Sequence, residues 1–255
     1  MIFSMTNAIF ETTPIISSGT LQDGAIANIT ESNFSRNARV SPAGLTLSID
    51  FGSVTCSYLA LHGLLFSSAG RGTSIISRVY DGGTLIKEFQ TNSGYSDIMF
   101  TFDLRTFSNL RITILGNFSD LTISYCAAGR STIVPHKGAQ PGRALDYLNF
   151  DQSVTGSRSI SARPISQKLR TKTSKVSLNL SNMPVEWARE DYKRVLDLYK
   201  ETGIVSVIDF EEEGYPTECW AGFDLMSRAK AYNGTRKLVA IKMNFNSSSN
   251  YGVYY

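Results

Sequence analysis

Two oppositely charged runs in the sequence could each bind a charged partner. The first spans residues 158–175 and contains six basic side chains and no acidic one. The second spans residues 209–218 and contains five acidic side chains and no basic one. Basic side chains bind phosphate, and they bind the acidic side chains of a neighbouring protein equally well. The basic run comprises Arg158, Arg163, Lys168, Arg170, Lys172 and Lys175, and the acidic run comprises Asp209, Glu211, Glu212, Glu213 and Glu218.

The basic run has three interpretations. A phosphate track is disfavoured because no aromatic residue lies between the basic residues to stack on bases, and the net charge of the chain is only +3. A solvated linker needs no partner. Docking on the acidic run of another copy explains both runs, and such a head-to-tail contact closes into a ring. We predict no nucleic-acid partner and keep the linker and the subunit contact, with Glu211, Glu212 and Glu213 on its acidic side, as open alternatives.

Catalysis and metal binding are not expected. The chain has no GxSxG, HExxH, P-loop or GxGxxG motif. Its two histidines, His62 and His136, have no obvious serine, cysteine or carboxylate partner nearby in the sequence. The adjacent glutamates lack the alternating acidic residues and the turn glycine of a calcium loop. We therefore predict a protein that is not an enzyme, with no catalytic residue, no bound metal and no cofactor.

A candidate carbohydrate site is predicted in the first part of the chain. Phe66, Tyr80 and Tyr95 flank loops that contain Asn92 and Asp97. Aromatic rings offer flat apolar surface, and amide and carboxylate groups bind hydroxyls. The alternative, which the sequence favours, is that these aromatic residues pack in a core or against another subunit.

Composition limits the class of protein. Of 255 residues, 42% are hydrophobic and 18% are charged, which supports a globular core and argues against disorder. No apolar run approaches 18 residues, so we expect no membrane insertion. Residues 1–13 lack the basic start and the apolar stretch of a secretory signal. The three cysteines are expected to be reduced and structural, as in a protein assembled in the cytoplasm.

The first part of the chain has the pattern of short strands. Apolar and polar residues alternate from Leu45 to Asp50, which is the period of a strand with one buried face. Asp81-Gly82-Gly83 separates two further apolar runs and is typical of a hairpin turn. No helical period occurs in this part. We therefore predict an antiparallel β-sandwich of the discoidin or jelly-roll type.

The last part of the chain has a different pattern. Residues 176–180 alternate as a strand, Pro184 suits the first turn of a helix, and Gly203 suits its C-terminal cap. A strand and a hairpin around Asn233-Gly234 follow. We predict an α+β unit with one helix packed on an antiparallel sheet, and a mainly β protein as a whole. The predicted buried face of the helix comprises Val185, Ala188, Tyr192, Val195, Leu196 and Tyr199.

Charge and proline content divide the chain. Residues 131–182 carry eight basic and two acidic side chains, whereas residues 183–255 carry nine and eleven. Pro135, Pro141 and Pro164 lie in the basic stretch, which is typical of a connection. The predicted divisions are a β-sandwich domain over 1–130, a basic connection over 131–174, an α+β assembly domain over 175–246 and a polar tail over 247–255.

The C-terminal segment resembles the minor tail protein M and distal tail protein families of tailed bacteriophages. The resemblance lies in the strand Lys175 to Leu180, the helix from Asp191 to Gly203, the strand Val205 to Phe210, the pair Cys219-Trp220 and the closing strand Val239 to Phe245. The first part resembles the discoidin-like sandwich attached to some of these proteins. That resemblance is carried by Glu31-Ser32, Leu45 to Gly52, Tyr58 to Gly63, Val79 to Asp81 and Ile123 to Gly129.

These resemblances imply a structural protein of a phage tail tip, distal tail or baseplate in the virion. It would join the end of the tail tube to the hub or receptor-binding apparatus as part of a ring. Its partners would be other copies of itself and the tail tube, tape-measure and hub proteins, and it would assemble in the host cytoplasm. The alternatives are a carbohydrate-binding adhesin on the virion surface, with a host surface glycan as partner, and a capsid decoration protein.

Overall fold

The computed structural model of the chain describes residues 1–31, 33, 36–69, 72–94, 96–135, 152–158, 164–171, 174–208, 219–231 and 238–247. Within these ranges the chain forms twenty strands, one α-helix and one 3₁₀ helix (Ile26–Thr30). None of the helices described there is both long enough and apolar enough to span a membrane.

The sandwich unit contains twelve strands. These are β2 (Ile15–Ser18), β3 (Thr20–Gly24), β4 (Ala38–Ser41), β5 (Thr46–Asp50), β6 (Val54–His62), β7 (Leu65–Ser67), β8 (Ser74–Asp81), β9 (Thr84–Asn92), β10 (Asp97–Phe107), β11 (Leu110–Leu115), β12 (Asp120–Ile123) and β13 (Tyr125–Gly129). They form three antiparallel sheets in the orders β2-β5-β11-β8-β9, β3-β4-β12-β7 and β10-β6-β13.

One hydrophobic core joins the three sheets of the sandwich. The alternation predicted for β5 places Leu47 and Ile49 in this core, together with Val40 of β4 and Leu61 of β6. All four side chains are fully buried, and each such side chain stabilises the fold by roughly 1.5–3 kcal/mol before entropy is subtracted. Because every sheet contributes to the same core, the predicted antiparallel sandwich is confirmed.

The C-terminal unit is a six-stranded antiparallel sheet with one helix. Its strands follow the order β14-β1-β18-β19-β20-β17, and a separate hairpin pairs β15 with β16. The bounds are β1 (Ile2–Ser4), β14 (Ser131–Ile133), β15 (Gln152–Arg158), β16 (Pro164–Thr171), β17 (Ser174–Pro184), α1 (Val185–Thr202), β18 (Val205–Ile208), β19 (Cys219–Ala231) and β20 (Leu238–Ser247). The predicted fold class, mainly β with one helix on an antiparallel sheet, is therefore confirmed.

Helix α1 begins and ends at the predicted residues, and its predicted face packs on the core, but the prediction omitted the buried Trp187 and Leu198. Pro184 precedes its first residue, and Gly203 follows it with a φ of 71°, donating its N–H to the Tyr199 carbonyl at 2.7 Å. Trp187 is buried, and its indole N–H donates to the Thr132 hydroxyl of β14 at 3.1 Å. Leu198 is also buried, whereas Leu196 is half-buried.

Strand β1 belongs to the sheet of the C-terminal unit. It lies between β14 and β18, so that Phe3 pairs with Thr132 on one side and with Val207 on the other. The predicted divisions at residues 130 and 174 stay predictions, and residues 2–4 are an exception to them. Inside the predicted connection the structure describes the β15–β16 hairpin, and most of the predicted tail after Ser247 lies outside the described residues.

Candidate functional site

Two residues of the predicted carbohydrate site are buried, which corrects that prediction. Phe66 packs edge-on against Phe118 with their ring centroids 5.3 Å apart, and both side chains lie in the sandwich core. Asp97 is 3% exposed and accepts hydrogen bonds from inside the protein. Neither side chain presents a surface to a saccharide.

The other members of the predicted carbohydrate site do not converge. Tyr80 and Asn92 lie near opposite ends of the β8–β9 hairpin, where Tyr80 pairs with Leu85 and Asn92 with Ser74. Six residues of β8 separate these two positions, which corresponds to about 20 Å along a strand. Tyr95 lies outside the described residues. The structure therefore does not assemble the predicted set into one site.

The candidates for contacts between copies stay predictions. Arg158 ends β15, Lys168 and Arg170 belong to β16, and Lys175 belongs to β17. The remaining candidates, Arg163, Lys172, Glu211, Glu212 and Glu213, lie outside the described residues.

An open groove lies on the sandwich unit where the turn of residues 8–11 meets the 3₁₀ helix. Its volume is about 300 Å³. The lining residues are Phe10 and Glu11 from the turn, Ala27 from the 3₁₀ helix, and Glu31 and Asn33 from the segment that follows it. The groove thus brings together an aromatic ring, two carboxylates and a carboxamide.

Asn7 holds the turn in place from its N-terminal side. Its carboxamide oxygen accepts the N–H of Ile9 at 3.2 Å and the N–H of Ala128 at 3.3 Å. Its amide nitrogen donates to the Tyr125 hydroxyl at 3.0 Å. Ile9 is buried in the sandwich core together with Ile29 of the 3₁₀ helix. The turn and the helix are therefore fixed to each other by packing beneath the groove.

Thr30 fastens the turn to the 3₁₀ helix from the other side. Its hydroxyl lies 2.5 Å from the Thr12 carbonyl oxygen and 3.0 Å from that of Ala27. The Thr30 carbonyl accepts the N–H of Glu11 at 3.3 Å. Thr30 is fully buried, so these bonds form away from water, where an unmade bond would be costly.

Glu11 has a left-handed backbone conformation, with a φ of 56°. For a residue with a Cβ atom this conformation costs roughly 1–2 kcal/mol, because Cβ approaches the following carbonyl oxygen. The surrounding hydrogen bonds hold it there. The backbone of Glu11 is consequently strained but held in place, and its exposed carboxylate lies at the groove.

The groove is acidic. Glu31 pairs with Arg36 at 3.4 Å, and their side chains are 37% and 63% exposed. Such an exposed ion pair contributes little to stability. Two carboxylates against one guanidinium leave the groove and its rim with one excess negative charge.

Sequence reasoning missed this groove. Phe10 and Glu11 follow no strand or helix period, and they come together with Glu31 only through the turn and the 3₁₀ helix. Glu31 entered the sequence argument solely as part of the resemblance to discoidin-like sandwiches. The one local signal was Asn7, because asparagine favours turns by bonding to nearby backbone.

His62 lies on β6, and its ring has hydrogen-bond partners that its sequence neighbourhood did not reveal. Its Nδ1 lies 2.8 Å from Oδ1 of Asp97, and its Nε2 lies 2.8 Å from Oγ of Ser206. A carboxylate only accepts, so Nδ1 carries the hydrogen, and in the neutral ring the Ser206 hydroxyl donates to Nε2. The partners lie 35 and 144 residues away along the chain, which is why sequence spacing concealed them.

This arrangement has the order of a nucleophile, a base and an orienting carboxylate, but it is sealed. His62, Asp97 and Ser206 are 0%, 3% and 1% exposed. A serine nucleophile acts on a substrate that reaches its hydroxyl, whereas Ser206 is withdrawn from solvent. The three side chains therefore hold structure together at this position.

The remaining reactive side chains are also withdrawn from solvent. Cys56 and Cys126 are buried and form no disulfide. Burial raises the pKa of the Cys56 thiol to about 12, so the nucleophilic thiolate is scarce near neutral pH. Among the described residues, no group of three or more histidine, cysteine, aspartate or glutamate side chains could hold a metal ion.

Comparison with known proteins gives matches only among solved structures. No family model and no curated protein matches the chain. One similar structure is chitosan-binding module 1 of a chitosanase/glucanase from Paenibacillus sp. IK-5, at 14% identity and a TM-score of 0.34, covering 48% of this chain and 97% of that one. Another is the family 32 carbohydrate-binding module of C. perfringens NanJ in complex with galactose, at 17% identity and a TM-score of 0.35, covering 49% and 98%.

A third similar structure belongs to a much longer protein. It is a Ruminococcus gnavus GH29 fucosidase in complex with fucose, at 13% identity and a TM-score of 0.38, covering 50% of this chain and 27% of that one. The chain thus spans about a quarter of the fucosidase. At these TM-scores the likenesses carry no argument about function, which has to come from the groove itself.

Proposed function

We propose that this is a non-catalytic saccharide-binding protein, and that the groove at residues 10–33 is its binding site. The observation that carries the proposal is the lining of the groove, which includes an aromatic residue, Phe10, two acidic residues, Glu11 and Glu31, and Asn33. A saccharide has an apolar face and a rim of hydroxyls, and it needs both kinds of contact. Several of the similar structures are described as sugar-binding, but the proposal does not rest on them.

The charge and the size of the groove narrow the class of saccharide. An acidic groove repels anionic sugars and favours neutral or amine-bearing ones. A volume of about 300 Å³ stands at the lower end of the range for small-molecule sites. We therefore propose a short neutral or amine-bearing segment, such as the end of a glycan chain, as the ligand.

The test is binding of a glycan array, followed by titration calorimetry with the best neutral, amine-bearing and sialylated probes. We expect Phe10→Ala to weaken binding at least about tenfold, which equals about 1.4 kcal/mol. Glu11→Gln removes a charge and keeps the shape, so it should weaken binding of an amine-bearing probe more than of a neutral one.

Two exposed residues on β9 supply matched controls. Leu85→Ala removes an exposed apolar side chain that is 48% accessible, and Glu88→Gln removes an exposed carboxylate outside the groove. Both should bind like the unaltered protein. Absence of binding to every neutral and amine-bearing probe, or equal losses in the β9 controls, contradicts the proposal.

A second candidate function is assembly of copies into a ring, as the tail-protein resemblance implies. It is favoured by β17, an eleven-residue strand at the edge of the six-stranded sheet whose described pairing is with β20 alone. A long edge strand exposes backbone groups that a strand of another copy can bind. The basic residues Lys168 and Arg170 lie on the hairpin that immediately precedes β17, where charge would steer this contact.

Light scattering over a range of protein and salt concentrations tests this second candidate. Lys168→Glu combined with Arg170→Glu should lower the average mass of the assemblies and remove its dependence on salt. The matched control is Lys193→Glu combined with Lys200→Glu, because both lysines lie on the exposed face of α1. A protein that stays monomeric at every concentration contradicts assembly and leaves the saccharide proposal intact.

A further inference from the structure

The sandwich and the C-terminal sheet pack against each other over a continuous apolar cluster, which we call the interface cluster. Its members come from β1, β6, β10, β13, β18, β19 and the residue before β18, and none of them is more than 5% exposed. The interface cluster comprises Ile2, Tyr58, Ala60, Met99, Tyr125, Ala127, Ile204, Ile208, Cys219 and Ala221.

One chain of polar side chains runs beside the interface cluster. Asp97 of β10 accepts from His62 of β6, which bonds to Ser206 of β18, and the Ser206 N–H donates to the Ser4 hydroxyl of β1 at 2.9 Å. All four residues are at most 3% exposed. The Tyr125 ring lies parallel to the imidazole of His62, with centroids 6.2 Å apart.

The carboxylate end of this polar chain is itself fixed within the sandwich. The Ser96 hydroxyl donates to Oδ2 of Asp97 at 2.7 Å, and the Gly63 N–H approaches Oδ1 at 3.4 Å. The sandwich therefore holds the imidazole of His62 in place, and its second partner, Ser206, belongs to the C-terminal sheet. The hydrogen bond between Nε2 of His62 and Oγ of Ser206 carries this polar chain across the boundary, and the Ser57 and Ser131 hydroxyls, 2.9 Å apart, form another polar contact between β6 and β14.

We propose that this polar chain is a latch that couples the two units, so that they unfold and move as one body. Apolar contacts tolerate sliding, whereas a buried imidazole loses its partner when β18 shifts by one residue and presents the opposite face. An unsatisfied buried polar group is costly, so the latch penalises every docking position except the observed one. His62 acts here as a positioning residue.

Backbone hydrogen bonds, separate from the latch, tie the segment between β1 and the groove turn to β13. Residues 5–8 connect β1 to the groove turn, and their backbone is bonded to β13 and its following residue. The N–H of Met5 donates to the Arg130 carbonyl at 2.7 Å, and the N–H of Ala8 donates to the Ala128 carbonyl at 2.6 Å. This connection between β1, the groove turn and the sandwich does not depend on whether the groove binds a saccharide.

The test compares two serine-to-alanine variants of the full chain by calorimetry and hydrogen exchange. Ser206→Ala removes the hydroxyl that crosses the boundary. Ser48→Ala removes a buried hydroxyl that bonds to Thr113 at 2.9 Å within the sandwich alone. We expect one unfolding transition in the unaltered protein and in Ser48→Ala, but two in Ser206→Ala. Backbone amides of Val205–Ile208 should exchange about tenfold faster in Ser206→Ala only.

A milder variant keeps the proposal testable if Ser206→Ala fails to fold. Ser4→Ala removes the last link of the latch at β1, and it should accelerate exchange at Val205–Ile208 about threefold. The proposal is overturned by two transitions in the unaltered protein. It is equally overturned if the latch variants show one transition and unchanged exchange in β18.

Discussion

The groove and the boundary between the units use similar side chains under opposite conditions. Each combines an aromatic ring, carboxylate and an amide or hydroxyl, but Glu11 at the groove faces solvent whereas Asp97 at the boundary is 3% exposed. At the boundary every polar atom has a protein partner, so the arrangement stabilises one geometry. At the groove Glu11 is exposed, and Glu31 forms an exposed ion pair with Arg36. Similar residue types are thus buried at the boundary and exposed at the groove, where we propose that they bind a ligand.

Asp97→Ala is expected to change the free energy of unfolding more than any of the substitutions that follow, and it tests whether the boundary is sealed. The change leaves the imidazole N–H of His62 and the hydroxyl of Ser96 without their acceptor inside the protein. We expect a loss of about 3 kcal/mol in the free energy of unfolding, measured by urea denaturation. Asp103→Ala is the control, because Asp103 is exposed on the same strand and should cost about 0.5 kcal/mol or less. Equal losses mean that the boundary is not sealed.

Three consecutive residues of α1 differ in burial, so their substitution shows how the loss of stability depends on exposure. Val195 is fully buried, Leu196 is half-buried and Arg194 is exposed. Substitution by alanine should cost about 2 kcal/mol at Val195, about 1 kcal/mol at Leu196 and about 0.5 kcal/mol or less at Arg194. Thermal unfolding of the full chain measures the order. A larger loss at Leu196 than at Val195 contradicts the observed helix orientation.

Glu11→Gly tests whether strain at the groove serves binding. Glycine adopts the left-handed conformation without the Cβ penalty, so the change should raise the free energy of unfolding by about 0.5–1 kcal/mol. Saccharide binding should weaken in the same variant. Glu31→Gly is the matched control, since Glu31 has an ordinary φ of −84° and its replacement should destabilise the protein. Chemical denaturation and calorimetric titration give the two quantities; a destabilised Glu11→Gly variant argues against strain.

The smallest expected effect is a pH dependence at Asp120, which lies between the two extremes of exposure. Its hydrogen bond from Ser41, and then the guanidinium of Arg39, hold the pKa of this carboxyl below its ordinary value. A depressed pKa contributes stability above about pH 4 and loses it as the pH falls through the folded value. Asp120→Asn should therefore be less stable than the unaltered protein at pH 7.

Urea unfolding between pH 7 and about pH 2 measures the Asp120 effect. The stability difference between the two proteins should shrink steadily as the pH falls, since protonation removes the charge from the unaltered carboxyl. Asp103→Asn, on an exposed position of β10, should show no such convergence. A difference that is constant with pH shows that the hydrogen bonds, and not the charge, stabilise this position.

Local patterns predicted the fold well. Alternation marked β5, and Pro184 with Gly203 marked the ends of α1, because strand period and helix caps depend on neighbours in sequence. The burial of Trp187 on α1 was not predictable, since the threonine of β14 that accepts its indole hydrogen bond lies 55 residues away. A feature was therefore predictable when the residues that determine it lie close together in the sequence, and was missed when they lie far apart.

The site depended on contacts that sequence spacing cannot reveal. Phe66 and Asp97 had the residue types of a sugar site, but the fold buried them. Phe10 and Glu11 had no pattern, but the turn that Asn7 and Thr30 hold brings them to Glu31. Carbohydrate binding, which the residue types suggested, stays a prediction, whereas the tertiary fold shows which of these side chains are exposed.

The position of β1 has a consequence for the order of events during synthesis. Phe3 precedes the whole sandwich in the sequence, whereas its partner Val207 follows about 200 residues later. At roughly 5–20 residues per second, a ribosome needs about 10–40 s to cover that distance. The sandwich can fold within this interval, whereas the edge of β1 that faces β18 remains without its partner strand. Completion of the C-terminal sheet is therefore a late step, and this newly made strand edge is the place where chaperones would have most to protect.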